Sequence, residues 1–139
     1  MNKLCLTDNI GTVDITFPKW SVGLRSIIKR PVFDKLKSEG QEFKTINVKC
    51  DTVDNYCNTN NIENIDFIKI DVEGAEKMVL DGANNMLKNN KIKMGIFEIG
   101  ETLTDAGTSE NEICNYLMKY NYIIEKNIVP NNYIFYLKS

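Results

Sequence analysis

The sequence predicts a single α/β domain built on a sheet with parallel strands. Two apolar runs, at residues 66–72 and 91–99, flank a segment at residues 74–88 whose apolar side chains recur at helical spacing. A strand, a crossover helix and a second strand within about thirty residues form a right-handed βαβ unit with parallel strands. The 139 residues are 42% hydrophobic and 26% charged, a composition that fits one domain with one core. We therefore treat residues 1–139 as a single domain.

The amino-terminal segment contains two short runs with the character of β-strands. KLCLT at residues 3–7 and TVDITF at residues 12–17 are separated by residues 8–11, which are rich in turn formers. Strands that follow each other closely along the chain commonly pair with each other. We therefore expect an amino-terminal β-hairpin.

The middle of the chain predicts two short helices and one strand. Pro31 is expected to begin a helix that stops at Gly40. Residues 43–50 (FKTINVKC) alternate apolar and polar side chains, as a half-buried strand does, and Thr52 can cap a short helix that follows. The helix that begins at Pro31 is expected to bury three residues on one face: Val32, Phe33 and Leu36.

The last third of the chain predicts a capped helix and a second hairpin. Ser109 followed by Glu112 has the spacing of a capping box. Two β-type runs, at residues 122–125 and 133–137, are separated by a Pro-Asn-Asn turn at residues 130–132. These runs predict an antiparallel hairpin at the end of the chain.

Composition excludes several classes of function. Seventeen Lys and Arg residues against nineteen Asp and Glu residues give a net charge of −2, so no basic field holds nucleic acid or an anionic membrane. No apolar run reaches the roughly 20 residues of a membrane span, and residues 1–9 (MNKLCLTDN) lack the long apolar stretch typical of a signal peptide, so we expect a cytoplasmic protein. Histidine is absent and the four cysteines form no Cys-x-x-Cys pair, so we expect no metal site. Any chemistry then depends on carboxylates, lysine, tyrosine, cysteine or a cofactor.

Acidic side chains are expected at the carboxyl ends of the two parallel strands. Alternation along DFIKIDV places Lys69 and Asp71 on one side, and Glu73 joins them if the strand continues. Glu98 lies near the end of the next strand, about 4.8 Å away if the two strands are neighbours. Because open α/β sheets bind ligands beyond the carboxyl ends of their strands, we expect Asp71 and Glu98 to face one crevice.

The same residues also have structural interpretations. Acidic residues at a helix start, such as Glu73 and Glu76, stabilise the helix through its dipole by about 0.3–1 kcal/mol. A lysine buried within an apolar strand needs a carboxylate partner, so we expect Lys69 to pair with an acid. Gly74 suits a tight turn between strand and helix. The pattern alone leaves the structural and the ligand-binding interpretations open.

Two segments, IDFIKIDVEGAEKMVLDGA and IFEI, resemble the signature of FkbM-type methyltransferases. That signature is an apolar strand ending in Lys-Ile-Asp-Val-Glu-Gly-Ala-Glu, which here begins at Lys69, then a Leu-x-Gly-Ala step at Leu80 and a following strand that carries Glu98. The upstream LTDNIGTVDITF is similar to a weaker strand-turn-strand segment of the family. The resemblance spans most of the chain, and residues 65–99 carry its diagnostic part.

The resemblance implies a class I, Rossmann-like methyltransferase that uses S-adenosylmethionine, often for O-methylation of sugars or other small hydroxyl-bearing acceptors. Since no histidine is present, we expect Asp71 and Glu98, supported by Glu73, to orient or deprotonate the acceptor hydroxyl. Contacts with the cofactor are expected at four positions: Thr7, Asp8, Lys69 and Gly74.

The chain departs from the family pattern in its amino-terminal part. The resemblance implies a first strand with a glycine-rich turn and a second strand ending in an acid, which together hold the cofactor. The glycines before Gly74 are Gly11, Gly23 and Gly40, and none follows an apolar strand in a Gly-x-Gly setting. We therefore expect a Rossmann-like methyltransferase sheet truncated at the amino terminus, with its first two strands missing and with weak binding of S-adenosylmethionine.

Such a sheet would have a gap between its first strand and the strand at residues 66–72. Free strand edges favour association, either with a complementing amino-terminal half or with a second copy in a homo-oligomer. An alternative interpretation is a non-catalytic α/β interaction module that binds a partner chain through its sheet edges or through the loop at residues 100–108.

Overall fold

The computed structural model describes residues 4–21, 23–100 and 102–138. Within these ranges, seven strands form two sheets and six helices connect or cover them. None of these helices is long and apolar enough to cross a membrane. The strands are β1 (Cys5–Leu6), β2 (Gly11–Pro18), β3 (Phe43–Asp51), β4 (Ile65–Ile70), β5 (Ile92–Glu98), β6 (Tyr122–Val129) and β7 (Asn132–Leu137). The helices are α1 (Pro31–Ser38), α2 (Val53–Thr59), α3 (Glu76–Asp81), α4 (Asn84–Lys88), α5 (Thr102–Asp105) and α6 (Glu110–Met118).

The parallel strand pair predicted from the sequence is confirmed. Strands β4 and β5 are parallel neighbours, with Ile68 opposite Gly95 and Ile70 opposite Phe97. Strand β7 pairs antiparallel with β5, and β6 pairs antiparallel with β7, so the second sheet has the order β4-β5-β7-β6. The expected carboxyl-terminal hairpin is the pair of β6 and β7.

The predicted amino-terminal hairpin is wrong, because β3 lies between β1 and β2. Strand β1 pairs in parallel with β3, where Cys5 is opposite Cys50, and β2 pairs antiparallel with β3. Strand β1 has two residues and β3 has nine, so β3 is the strand that offers β2 a full-length partner. Within the described ranges no strand pairing joins this sheet to the second one. The fold is therefore mixed α/β with two sheets, and the truncation stays a prediction.

Two predicted helix starts are capped by the expected side chains. Thr52 Oγ1 accepts a hydrogen bond from the Asn55 N–H at 3.0 Å. Ser109 Oγ accepts one from the Glu112 N–H at 3.2 Å. The Glu112 carboxylate accepts its hydrogen bond from Thr108 Oγ1, so only the Ser109 half of the predicted capping box forms.

Helix α1 begins at Pro31 as predicted, but its buried face is narrower than expected. Phe33 is buried and its ring packs against Phe43, with centroids 5.1 Å apart. Leu36 is partly buried, whereas Val32 is 43% exposed. Adjacent residues on a helix point in different directions. Phe43 therefore covers Phe33 but leaves Val32 exposed to solvent.

The helix predicted over residues 74–88 is two helices, α3 and α4, interrupted at Gly82 and Ala83. A Cβ atom on Gly82 would overlap the carbonyl oxygen of Thr7. The carboxylate of Asp54 accepts hydrogen bonds from two N–H groups in the first turn of α4, at 2.8 and 3.0 Å. The interruption therefore results from contacts with Thr7, which follows β1, and with Asp54 of α2. The hydrophobic periodicity of residues 74–88 contains no information about these contacts.

The core lies on one face of the second sheet. Side chains from α2, α3, α4 and α6 cluster there with inward residues of the strands. On the opposite face, Phe67 of β4 is 55% exposed. The most completely buried large residues of the core are Leu80, Leu87, Ile92, Phe97, Ile113, Leu117 and Phe135.

Replacement of Gly82 by alanine is expected to destabilise the fold. Gly82 has φ −68° and ψ −11°, a conformation that alanine adopts easily, so the cost comes from the overlap with Thr7. We expect the free energy of unfolding in urea to fall by about 1–3 kcal/mol. Gly23→Ala is the matched control, because its Cβ would meet no atom closer than Ser21 Oγ at 4.0 Å. Equal unfolding free energies for the two variants would contradict this account.

Candidate active site

Three predicted site residues meet at the carboxyl ends of β4 and β5. Lys69 Nζ donates a hydrogen bond to Asp71 Oδ2 at 2.8 Å. Glu98, the last residue of β5, is close enough for its charge to act on the Lys69 ammonium. We call these three residues the carboxylate cluster. Within the described ranges no group of three or more side chains of the metal-binding types is arranged to hold an ion.

The expected pairing of Lys69 with an acid is confirmed, but the pair is not buried. The Lys69 side chain is 62% exposed, because β4 turns Ile68 and Ile70 toward the core and Lys69 toward the other face. The hydrogen bond to Asp71 raises the pKa of Lys69, and the charges of Asp71 and Glu98 raise it further. Lys69 therefore remains a cation at neutral pH and cannot act as a general base.

Glu73 does not continue the alternation of β4. The strand ends at Ile70, and Glu73 has a left-handed backbone with φ 53°. Its carboxylate lies 3.6 Å from Arg30 Nη1, and its carbonyl oxygen accepts a hydrogen bond from Ser26 Oγ at 3.1 Å. Glu73 thus connects the turn after β4 to the segment that leads into α1.

Arg30 is a residue that sequence reasoning missed. Its largely buried guanidinium lies 3.6 Å from Glu73 and 3.8 Å from Asp105, and it stacks over the ring of Phe33. It therefore links the segment before α1 to the turn after β4 and to α5. No local sequence pattern marks such a link, because its partners are 43 and 75 positions away along the chain.

Glu76 does more than interact with the helix dipole, which was the structural role considered for it from the sequence. Its side chain is almost completely buried, and Oε1 accepts hydrogen bonds from the N–H groups of Val72 at 3.2 Å and Gly74 at 3.3 Å. Its other oxygen, Oε2, is buried and has no hydrogen-bond partner among the residues that the structure describes. Burial raises the pKa of the Glu76 carboxyl, and the nearby charge of Glu73 adds to the effect. The Val-Glu-Gly-Ala-Glu spacing was the available signal for this role.

Gly74 is required by the turn between β4 and α3. It has φ 103°, and a Cβ atom there would lie 2.8 Å from the carbonyl oxygen of Thr102. Its N–H group is already bonded to Glu76. The turn therefore has no free backbone donor at Gly74 with which to receive a ligand.

Thr7 and Asp8 lie at a different place, against the junction of α3 and α4. Thr7 is buried and its hydroxyl donates to the carbonyl oxygen of Asn9 at 2.9 Å. Asp8 lines a cleft of about 870 Å³ together with residues of α2 and of the α3–α4 junction. Lys69 projects from the sheet face opposite these helices. Thr7 and Asp8 are therefore separated from Lys69 by the sheet, and the role of the four residues in cofactor binding stays a prediction.

The raised pKa of Glu76 predicts a pH-dependent stability. A carboxyl whose pKa is raised by folding stabilises the protein fully below its ordinary value, about 4.5, and this contribution is lost as pH rises through the raised value. Glu76→Gln keeps an oxygen acceptor for Val72 and Gly74 but does not ionise. We expect the unfolding free energy of the wild type, measured in urea from pH 4 to 8, to fall relative to that of the variant. Glu63→Gln, at an exposed position, is the control, and parallel curves for wild type and Glu76→Gln would refute the prediction.

Comparison with known proteins assigns a family to most of the chain. Residues 3–124 of the 139 match the methyltransferase FkbM domain family. Searches of curated proteins and of solved structures find no significant match. The match covers most of the chain, including the carboxylate cluster and the residues that carried the resemblance. The chain therefore belongs to the FkbM methyltransferase domain family.

Proposed function

We propose that the chain is an S-adenosylmethionine-dependent O-methyltransferase that acts on a hydroxyl group of a sugar or another small molecule. The observation that carries the proposal is the carboxylate cluster, which faces solvent at the carboxyl ends of two parallel strands. Ligands of open α/β sheets bind at this end, and carboxylate oxygens accept hydrogen bonds from hydroxyl groups. The family match supports methyl transfer as the reaction.

The two carboxylates have different surroundings, which supports different roles. Asp71 is held by Lys69 at 2.8 Å, so it has a fixed position from which to orient an acceptor. Among the described residues no hydrogen-bond or ion-pair partner is found for the Glu98 carboxylate. The oxygens of Glu98 are therefore available to accept a hydrogen bond from the acceptor hydroxyl. Glu73, tied to Arg30, holds the turn rather than the acceptor.

In the proposed reaction the acceptor hydroxyl donates a hydrogen bond to Glu98 and binds beside Asp71. As the hydroxyl oxygen becomes the nucleophile, its proton passes to the Glu98 carboxylate. The Lys69 ammonium offsets the repulsion between the two carboxylates and favours negative charge on the acceptor oxygen. S-adenosylmethionine, when bound, would supply the methyl group to the acceptor oxygen through cleavage of its S–CH3 bond and would leave as S-adenosylhomocysteine.

The described residues do not form a complete cradle for this cofactor. The N–H groups of Val72 and Gly74 are bonded to Glu76, and Thr102 covers Gly74. The remaining predicted contacts lie at separate places on the fold. The chain by itself is therefore expected to hold the cofactor weakly.

Calorimetric titration with S-adenosylhomocysteine tests this expectation. Each missing charge-assisted hydrogen bond weakens binding by about 1.5–3 kcal/mol, so the loss of two or three lowers affinity by several orders of magnitude. We expect no saturable binding in the micromolar range for the chain by itself. A micromolar dissociation constant without any added partner would show that the cofactor is held by residues other than those named here.

Substitution of the two carboxylates tests the catalytic roles. At millimolar S-adenosylmethionine and with a panel of sugars and small alcohols, we expect mass spectrometry to detect slow transfer of one methyl group. Glu98→Gln should lower kcat by about 10²–10⁴-fold, whereas Asp71→Asn should mainly raise KM for the acceptor.

The matched control for these variants is Asp66→Asn, which changes an exposed carboxylate at the other end of β4. It should leave both constants unchanged. Equal losses in all three variants would contradict the assigned roles. A folded chain that transfers no methyl group to any acceptor would favour the non-catalytic interaction module.

A further inference from the structure

We infer that the uncovered face of the second sheet is an interface with a second copy of this chain. This face carries two rows of side chains that run across all four strands, one row per register level. We call these eight residues the open face. The first row is Phe67, Met94, Tyr136 and Ile123, and the second row is Lys69, Ile96, Ile134 and Glu125.

The first row is a continuous apolar strip exposed to solvent. Phe67 is opposite Met94, Met94 is opposite Tyr136, and Tyr136 is opposite Ile123. The exposed fractions are 55% for Phe67 and 37% for both Met94 and Ile123. Single exposed apolar residues are normal, but a strip across a whole sheet marks a surface that binds another molecule.

The second row has opposite charges at its two ends. Lys69 stands on the outer strand β4, and Glu125 stands on the outer strand β6. Both groups are held in place, Lys69 by Asp71 at 2.8 Å and Glu125 by the hydroxyl of Tyr136 at 2.6 Å. Between them lie two partly buried isoleucines, Ile96 and Ile134. The row is therefore apolar at its centre and charged at its ends.

This pattern is complementary to itself under one symmetry. A two-fold axis that lies between two stacked sheets and runs parallel to the strands places β4 of one copy over β6 of the other, and β5 over β7. This rotation does not change the position of a residue along the strand direction, so Lys69 of the first copy faces Glu125 of the second. By symmetry, Glu125 of the first copy faces Lys69 of the second. In the first row Phe67 then faces Ile123, and Met94 faces Tyr136.

The geometry of stacked sheets permits these contacts. Aligned sheets pack about 10 Å apart and are rotated by about 30°. At the outer strands, about 7 Å from the axis, such a rotation moves facing residues by about 4 Å, which lysine and glutamate side chains span. A two-fold axis perpendicular to the strands would instead place β4 over β4, so that no acidic side chain of the second copy would face Lys69, whose ion pair would then be only the one with Asp71 of its own chain. The strand-parallel axis is therefore the arrangement that the charges favour.

The size of the open face predicts a weak dimer. Four strands about 4.8 Å apart and two rows about 6.6 Å apart cover an area of roughly 19 by 13 Å, which is small for a protein–protein interface. We expect association at chain concentrations on the order of tens to hundreds of micromolar. Asp71 and Glu98 lie one level beyond the second row, at the rim, so an acceptor can still reach them.

Sedimentation equilibrium of the full chain over a wide concentration range tests the inference. The weight-average mass of the wild type should rise from that of one chain toward that of two. K69E and E125K should each weaken association by at least about tenfold, since each places like charges opposite one another. The double variant K69E/E125K exchanges the charges and should restore the dissociation constant to within about threefold of the wild type.

Two matched controls keep the test decisive if a charge variant folds poorly. K19E reverses a charge on an exposed ion pair, Lys19 with Glu42, that lies next to the end of β2 and the start of β3, and it should leave association unchanged. Met94→Ser should abolish association, whereas Met118→Ser, at a 50% exposed position on α6, should not. A chain that stays monomeric at every concentration overturns the inference and leaves the open face to a different polypeptide. Dimers that K69E, E125K and Met94→Ser leave intact overturn it as well.

Discussion

The buried carboxylate of Glu76 fixes the turn at which β4 ends and α3 begins. Its Oε1 atom holds the N–H groups of Val72 and Gly74, which would otherwise be unsatisfied beside the core. The left-handed backbone at Glu73 and Gly74 depends on this support, since such conformations cost free energy unless neighbouring contacts maintain them. The direction in which β4 presents Asp71 and the direction in which α3 enters the core both follow from the same turn.

Side chains alternate along the strands of the second sheet, so one face of the sheet packs in the core and the other face is exposed to solvent. Ile70 of β4 and Phe97 of β5 point into the core with the helices, while Lys69 and Phe67 of β4 point into solvent. The core face is closed by α3, α4 and α6, so changes on the open face do not create cavities there. Side chains on the open face can therefore be replaced while the packing on the core face is preserved.

The two sheets are linked through close backbone contact rather than through a shared ladder. Thr7 rests on Gly82, and the N–H of Asp54 donates to the carbonyl oxygen of Gly82 at 2.9 Å. The Asp54 carboxylate in turn satisfies the first N–H groups of α4. One glycine without a side chain thus lets the end of β1, the start of α2 and the α3–α4 junction meet. Arg30 provides a second link, from the segment before α1 to Glu73 and Asp105.

The sequence by itself determined the local elements and the family. Apolar runs of strand length predicted β4 and β5 as parallel neighbours, and Thr52 and Ser109 predicted two helix starts, because these signals act over a few residues. Alternation along β4 and its expected parallel pairing with β5 also predicted that Lys69, Asp71 and Glu98 lie together, since alternation and parallel register are properties of the strands themselves.

Only the tertiary structure decided the features that depend on distant partners. The strand order β1-β3-β2 follows from the length of β3, which can pair with all of β2, whereas β1 has only two residues. This pairing forms although β1 is closer to β2 along the chain. The break at Gly82 follows from contact with Thr7, 75 positions earlier, although the helical period continues through it. The burial of Glu76 and the contacts of Arg30 likewise depend on which elements pack around them. Secondary-structure propensity and hydrophobic periodicity depend on residues that are near one another in the sequence. Contacts between elements and the burial of side chains depend on how the whole chain packs.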